Sequence, residues 1–188
     1  TVATYKSFEG SLKGISSTNR PRLFGTTGIV EELRSIKDEE EMTPLGDAIN
    51  IGDQAFNQVV ASLEPGVTER EVAWRLERAI REMGGDGLPF DTIVGAGPNG
   101  AMAHHMPTDR PLVSGEPVVI DMGAKVKGYH SDLTRTICLG EPTDTFRKVY
   151  DIVLGAQLTA IATVEAGMTG EMGDALARGV IQEAGYGE

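Results

Sequence analysis

The chain is poor in cysteine and short of positive charge. Cys138 is the single cysteine among 188 residues, so an intrachain disulfide is excluded and a reducing, cytoplasmic location is expected. Lys and Arg number 17 against 28 Asp and Glu, for a net charge of −11. That balance argues against nucleic acid or an anionic membrane as partner, since both need basic surfaces. No apolar run approaches the roughly 18 residues that a membrane helix needs, and the N-terminus lacks a charged-then-apolar leader pattern. Internal repeats and low-complexity tracts are absent too. What is present is ordinary for a globular protein: 40% hydrophobic and 24% charged residues, enough for one domain with a core, or for a domain plus a small appendage. The chain opens at Thr1 without an initiator methionine, as expected of a piece of something longer.

Hydrophobic periodicity organises the rest. Residues 1–25 read as strand-like over Thr1–Tyr5 and turn-rich from Gly14 to Pro21, the tail of a preceding domain or a linker. Leu45, Ala48, Ile49, Gly52, Phe56, Val59, Val60 and Leu63 recur at helical spacing. Thr43 as N-cap and Pro44 at the first helical position would start that helix; alternatively the acidic run 38–41 forms a first turn kinked at the proline. Thr68 and Glu71 make a capping box for a second helix, which Gly84-Gly85 stops. A strand over 90–96 leads into a Gly/Pro/Asn loop, and a hairpin follows over 118–138. Two more helices run from about Thr145 to Ala166 and from Thr169 to Gly185. Helices grouped against an antiparallel sheet make the fold α+β.

The hairpin carries the first chemical signal. Val119, Asp121 and Gly123 share one face of its first strand; His130, Asp132, Thr134 and Thr136 share a face of its second. A turn centred on Val126 and Lys127 puts Asp121 directly opposite Asp132, with Cβ atoms about 4.5–5.5 Å apart. Opposed carboxylates repel unless a cation sits between them. A pair of divalent ions would fit the gap; so would a plain solvated face. The apolar run Val119-Ile120-Asp121-Met122-Gly123 favours a buried aspartate, which needs a partner. The second signal is the loop Gly97–Arg110 with His104 and His105. Adjacent side chains diverge, so at most one faces a site, where a histidine suits proton transfer or substrate binding. A surface loop with incidental histidines fits as well.

Taken together, Gly95-Ala96-Gly97-Pro98-Asn99, His104, Pro107-Thr108-Asp109-Arg110, Val119-Ile120-Asp121-Met122-Gly123 and Gly128-Tyr129-His130-Ser131-Asp132-Leu133-Thr134-Arg135-Thr136 resemble the creatinase/aminopeptidase P/prolidase family of metallopeptidases. Ser35–Glu41, Gly66–Glu69 and Glu183–Gly187 match its context, so the likeness runs over about residues 29–188. It implies the pita-bread fold, an antiparallel sheet with helices packed on one side, with residues 26–188 as the first two thirds of the catalytic domain. It further implies an exopeptidase acting next to proline, with two divalent ions (manganese, cobalt or zinc) and a water attacking the scissile carbonyl. By position, Asp121 matches the ligand of one metal and Asp132 the bridging ligand. His104 matches a histidine near the scissile bond, and Thr134 a threonine beside the metals. His105 and His130 match no role. The wording around Asp132 favours the proline-peptidase branch over methionine aminopeptidases.

The departures are equally informative. The family takes a histidine and two glutamates from a later Gly- and His-rich segment, and the chain stops before it, incomplete at the C-terminus. The chain alone is therefore expected to be inactive, unless a complementing C-terminal fragment restores it. A homodimer is a further family expectation. Pro44 and Gly46 replace the strong helix formers usual there. Two alternatives stay open: a non-catalytic pita-bread protein or fragment, and a metal-free amidinohydrolase like creatinase, against which the paired aspartates argue.

Overall fold

The computed structural model describes residues 2–16 and 18–187, in two compact units, Thr1–Glu39 and Glu40–Glu188. The first unit carries two helices, α1 (Val2–Leu12) and α2 (Ile29–Ser35). The strand expected over the first five residues is thus a helix, although Thr1 itself lies outside the described residues. No residue of α1 is buried. Strand preference expresses packing on a pleated surface, and the described residues of the first unit hold no strand to supply one.

In the second unit α3 (Glu39–Val60) contains Pro44 instead of starting at it. The acidic run forms its first turn, where carboxylates favour the helix dipole. A proline this close to the N-terminus forfeits a single backbone bond, the one to the Glu40 carbonyl. Ala48, Gly52, Ala55 and Val59 form the buried face. Helix α4 (Glu69–Glu82) begins as its capping signal requires, with Thr68 Oγ1 accepting from the Glu71 amide at 3.2 Å. Val72, Leu76, Ala79 and Ile80 point inward, while Trp74 stays 57% exposed on the outer face.

These helices cover one face of a three-stranded antiparallel sheet of β1 (Ile93–Ala96), β2 (Pro117–Met122) and β5 (Leu133–Cys138), with β2 central. Two short strands, β3 (Lys125–Val126) and β4 (Tyr129–His130), form the hairpin tip. Along β2 burial alternates: Val118, Ile120 and Met122 are sealed against α3 and α4. Each contributes about 1.5–3 kcal/mol of burial. The opposite face carries Val119 and Asp121.

The last helices, α5 (Asp144–Thr163) and α6 (Gly170–Glu183), pack on each other. Thr143 and Thr169 cap them by accepting from the Phe146 and Met172 amides. Periodicity makes the α5 stripe look like a core face, yet Val153, Leu158, Ile161 and Val164 are all more than half exposed. Only Ala156 of α5 is buried, because no described element covers the stripe. No helix among the described residues is long and apolar enough to cross a membrane.

Candidate metal centre and the histidine loop

The hairpin turns one residue later than its sequence suggests. Lys127 and Gly128 have φ of 48° and 85°, the paired positive values of a type I′ turn. Glycine at the second central position makes that turn cheap, and Asp86 Oδ2 accepts from the Lys127 amide at 2.6 Å. The consequence is a register in which Asp121 pairs with Thr134, not with Asp132. Asp132 falls opposite Gly123, between the two ladders, and is the diagonal neighbour of Asp121. The expected direct opposition is therefore corrected to a diagonal one. A slip of two residues preserves which side chains share a face, so the polar face expected from the sequence survives.

Gly123 is needed at this crossing. A Cβ there would collide with the Ser131 carbonyl oxygen, so only glycine lets the arms close. Ser131 then fastens the hairpin to α3. Its Oγ accepts from the Ala124 amide at 3.0 Å and donates to the Ala48 carbonyl at 2.9 Å. Gly52 leaves room for that hydroxyl. Asp132, next in sequence, emerges exposed from a locked backbone.

Asp121 is half-buried, and its Oδ1 is shut off from solvent with no hydrogen-bond partner. Burial raises its carboxyl above the usual range. The Thr134 hydroxyl pulls it down, and Asp132 raises it again by charge and by carboxyl contact. A buried, unpartnered carboxylate oxygen beside a second carboxylate is an unfavourable arrangement that a hard divalent cation relieves. The two aspartates fit such an ion as part of a ligand set. Among the described residues, no group of three or more His, Cys, Asp or Glu side chains is gathered to hold one.

The histidine loop leaves β1 through a 3₁₀ turn, Gly97–Ala101. His104 is exposed, whereas His105 turns inward and is only 7% exposed. The residue that organises this loop is Glu69, which sequence reasoning passed over as context. It is the first residue of α4 and fully buried. Its Oε1 accepts from the Ala96 amide at 2.8 Å and Asn99 Nδ2 at 2.9 Å. Its Oε2 accepts from His105 Nε2 at 2.9 Å, the Thr108 amide at 3.0 Å and Thr108 Oγ1 at 2.7 Å. Burial by itself would raise this carboxyl, but the bonds from His105, Ala96, Thr108 and Asn99 outweigh it and hold the group at about 2. Ionised, Glu69 can only accept, so His105 Nε2 carries the proton. Asn99, His105 and Thr108, three polar side chains in one loop, were the signal that a buried acceptor lay nearby.

Between this loop and the sheet lies a cavity of about 230 Å³, lined by Gly95, Gly100, Val119, Asp121 and Thr134. Met102 and Ala103 form the rim. The structure thus brings Asp121 and Thr134 to one cavity and sets Asp132 diagonally beside Asp121. His104 sits on the loop that forms the rim, without lining the cavity.

Known proteins agree with this architecture. An uncharacterized peptidase of Bacillus subtilis is 41% identical over 159 residues, covering 85% of this chain and 45% of the relative. A Xaa-Pro dipeptidase of Pyrococcus furiosus is 38% identical, covering 85% and 46%. Among solved structures, the Xaa-Pro dipeptidase from Bacillus anthracis superposes with a TM-score of 0.90 at 38% identity, over 100% of this chain and 51% of that one. The X-Pro aminopeptidase from Thermotoga maritima gives the same TM-score at 35% identity, again over 100% and 51%. The chain spans about half the length of the relatives it matches, and its α+β architecture is the pita-bread fold of these neighbours. The model of metallopeptidase family M24 matches residues 45–188, a family that implies divalent metal ions. With that match over most of its length, the chain belongs to metallopeptidase family M24.

Proposed function

We propose that the protein is a metal-dependent exopeptidase of the Xaa-Pro dipeptidase or aminopeptidase type, and that this chain supplies two of its metal carboxylates. Asp121 and Asp132 would hold divalent metal, with Asp132 as the bridging ligand and Thr134 steadying Asp121. The observation that carries the reading is Asp121 Oδ1, buried and unpartnered beside a second carboxylate. The relatives named Xaa-Pro dipeptidase and X-Pro aminopeptidase support a peptide substrate with proline next to the scissile bond.

Bound divalent ions supply Lewis acidity and lower the pKa of water. The chain's own residues orient the substrate. The cavity wall from Gly95 to Ala103 excludes solvent from one side of the peptide. His104, exposed on the rim loop, donates to or accepts from the substrate near neutral pH. The reading extends to manganese, cobalt or zinc as the metal, since carboxylate-rich sites accept all three, and to a cytoplasmic homodimer.

The test is hydrolysis of Xaa-Pro dipeptides by the full-length protein with each metal added. Asp132→Ala should abolish turnover; activity that survives it sinks the reading. The isolated 188-residue chain, with two carboxylates and no third ligand gathered among its described residues, should bind manganese weakly in calorimetry and hydrolyse nothing detectable. Metal-dependent turnover by that chain would overturn this half of the proposal and would favour a smaller, self-sufficient site.

A further inference from the structure

The structure assigns Glu69 a role beyond scaffolding: we propose that it is the positioning residue for His104, setting where that histidine and the cavity rim stand relative to Asp121. The proposal rests on the peptidase reading above.

The geometry is that of a two-sided clamp. The loop departs from the sheet at Ala96 and comes back against the first turn of α4 at Thr108, and His104 lies between. Glu69 Oε1 holds the departing arm through the Ala96 amide and Asn99 Nδ2. Oε2 holds the returning arm through His105 Nε2 and both Thr108 donors. One carboxylate therefore fixes both ends of the loop and the immediate neighbour of His104. Because adjacent side chains diverge, drawing His105 inward turns His104 outward, to where it is exposed.

The clamp stands on a rigid base. The Glu69 amide donates to the Arg110 carbonyl at 3.1 Å and the Arg70 amide to the Thr108 carbonyl at 3.1 Å. The first turn of α4 thus satisfies its own orphan donors on the same returning arm. Behind it, Val72 and Leu76 are buried in the core. Asn99, Gly100, Met102 and Ala103 belong to the clamped loop and line the cavity that holds Asp121. A shift of either arm moves the histidine and the cavity wall together.

Glutamine at position 69 keeps the shape but replaces one acceptor oxygen by a donor. Whichever way the amide turns, one arm faces it donor to donor. Thr108→Val removes one bond to Oε2 and the bond that Oγ1 accepts from the Arg110 amide, both at a residue that is itself exposed, so it disturbs folding less than Glu69→Gln does.

The experiment is a double-mutant cycle in the full-length, manganese-loaded protein, reading kcat/KM on a Xaa-Pro dipeptide. Glu69→Gln should lose about 10²-fold, the cost of misplacing a group by about an ångström. Thr108→Val should lose less, and Thr108→Ser should recover it. In a His104→Ala background Glu69→Gln and Thr108→Val should each cost several-fold less than in the wild type, the remainder coming from the cavity wall, because residues acting as a unit are not additive. Equal losses in both backgrounds overturn the positioning role and leave the peptidase reading standing. No turnover in the wild type overturns both; a His104→Ala enzyme as active as the wild type overturns the positioning role and leaves the peptidase reading standing. A readout independent of activity is the His104 ring proton resonance in metal-free protein. It should move in Thr108→Val and return in Thr108→Ser; an unmoved resonance in Thr108→Val also overturns the proposal.

Discussion

Glu69 and Asp121 are both carboxylates beside the histidine loop, about which the chain makes opposite provisions. Glu69 is fully buried and receives five hydrogen bonds, which hold its carboxyl at about 2. Asp121 is less buried, yet one of its oxygens has no partner, and its carboxyl is raised. The difference separates a charge that folds the protein from a charge kept ready for a ligand. A satisfied buried carboxylate stabilises its surroundings; an unsatisfied one costs stability until something cationic arrives.

Glu69→Ala should give the largest effect that tests this contrast. It leaves five donors facing an apolar gap, and breaking a buried charge network of this kind costs about 3–5 kcal/mol. Urea unfolding of the 188-residue chain should show a loss of unfolding free energy of that size; a loss under about 1 kcal/mol would mean water replaces the carboxylate. Next comes pH. The folded Glu69 carboxyl lies at about 2 against an ordinary 4.5, so its contribution is fully present above pH 4.5. It is lost progressively as pH falls towards 2, by about 3 kcal/mol in all. In Glu69→Gln the acid limb of the stability curve should flatten over that window.

Ser131→Ala comes third. It strands the Ala124 amide and removes the extra bond to the Ala48 carbonyl, and should cost about 1–3 kcal/mol. It tests whether the hairpin base under Asp132 is fastened to α3. The smallest effect is expected at Asp121→Asn. Removing a destabilised charge that Asp132 repels should leave the melting temperature of the metal-free chain unchanged or slightly higher. The same change should abolish whatever manganese affinity calorimetry detects. A large loss of metal-free stability would show that Asp121 folds the chain as Glu69 does, and the contrast between them would collapse.

Much of the candidate site was legible in the residues. The apolar Val118-Ile120-Met122 alternation and the polar Asp132-Thr134-Thr136 alternation identify the two faces of the hairpin, because side-chain period is a local property of a strand. Pairing was less legible. Choosing Val126-Lys127 over Lys127-Gly128 as the turn moved the partner of Asp121 by two residues. That choice depends on the backbone angles of Lys127 and on Asp86, 41 residues away in sequence. Glu69 was illegible as a hub because its partners lie 27 to 39 residues downstream. Position by position, it looks like an ordinary acidic residue in the first turn of a helix.

The sequence by itself determined the helix caps at Thr68 and Thr169, the α+β class and the pair of aspartates on one face of the hairpin. Each follows from neighbours within a turn or two of chain. Only the tertiary structure decided that His105 points in and His104 out, and that Asp132 sits diagonal to Asp121. It alone decided that the α5 stripe is left bare and that residues 2–12 are helical. Those outcomes depend on which distant donor, acceptor or apolar face arrives alongside, and no local pattern carries that information.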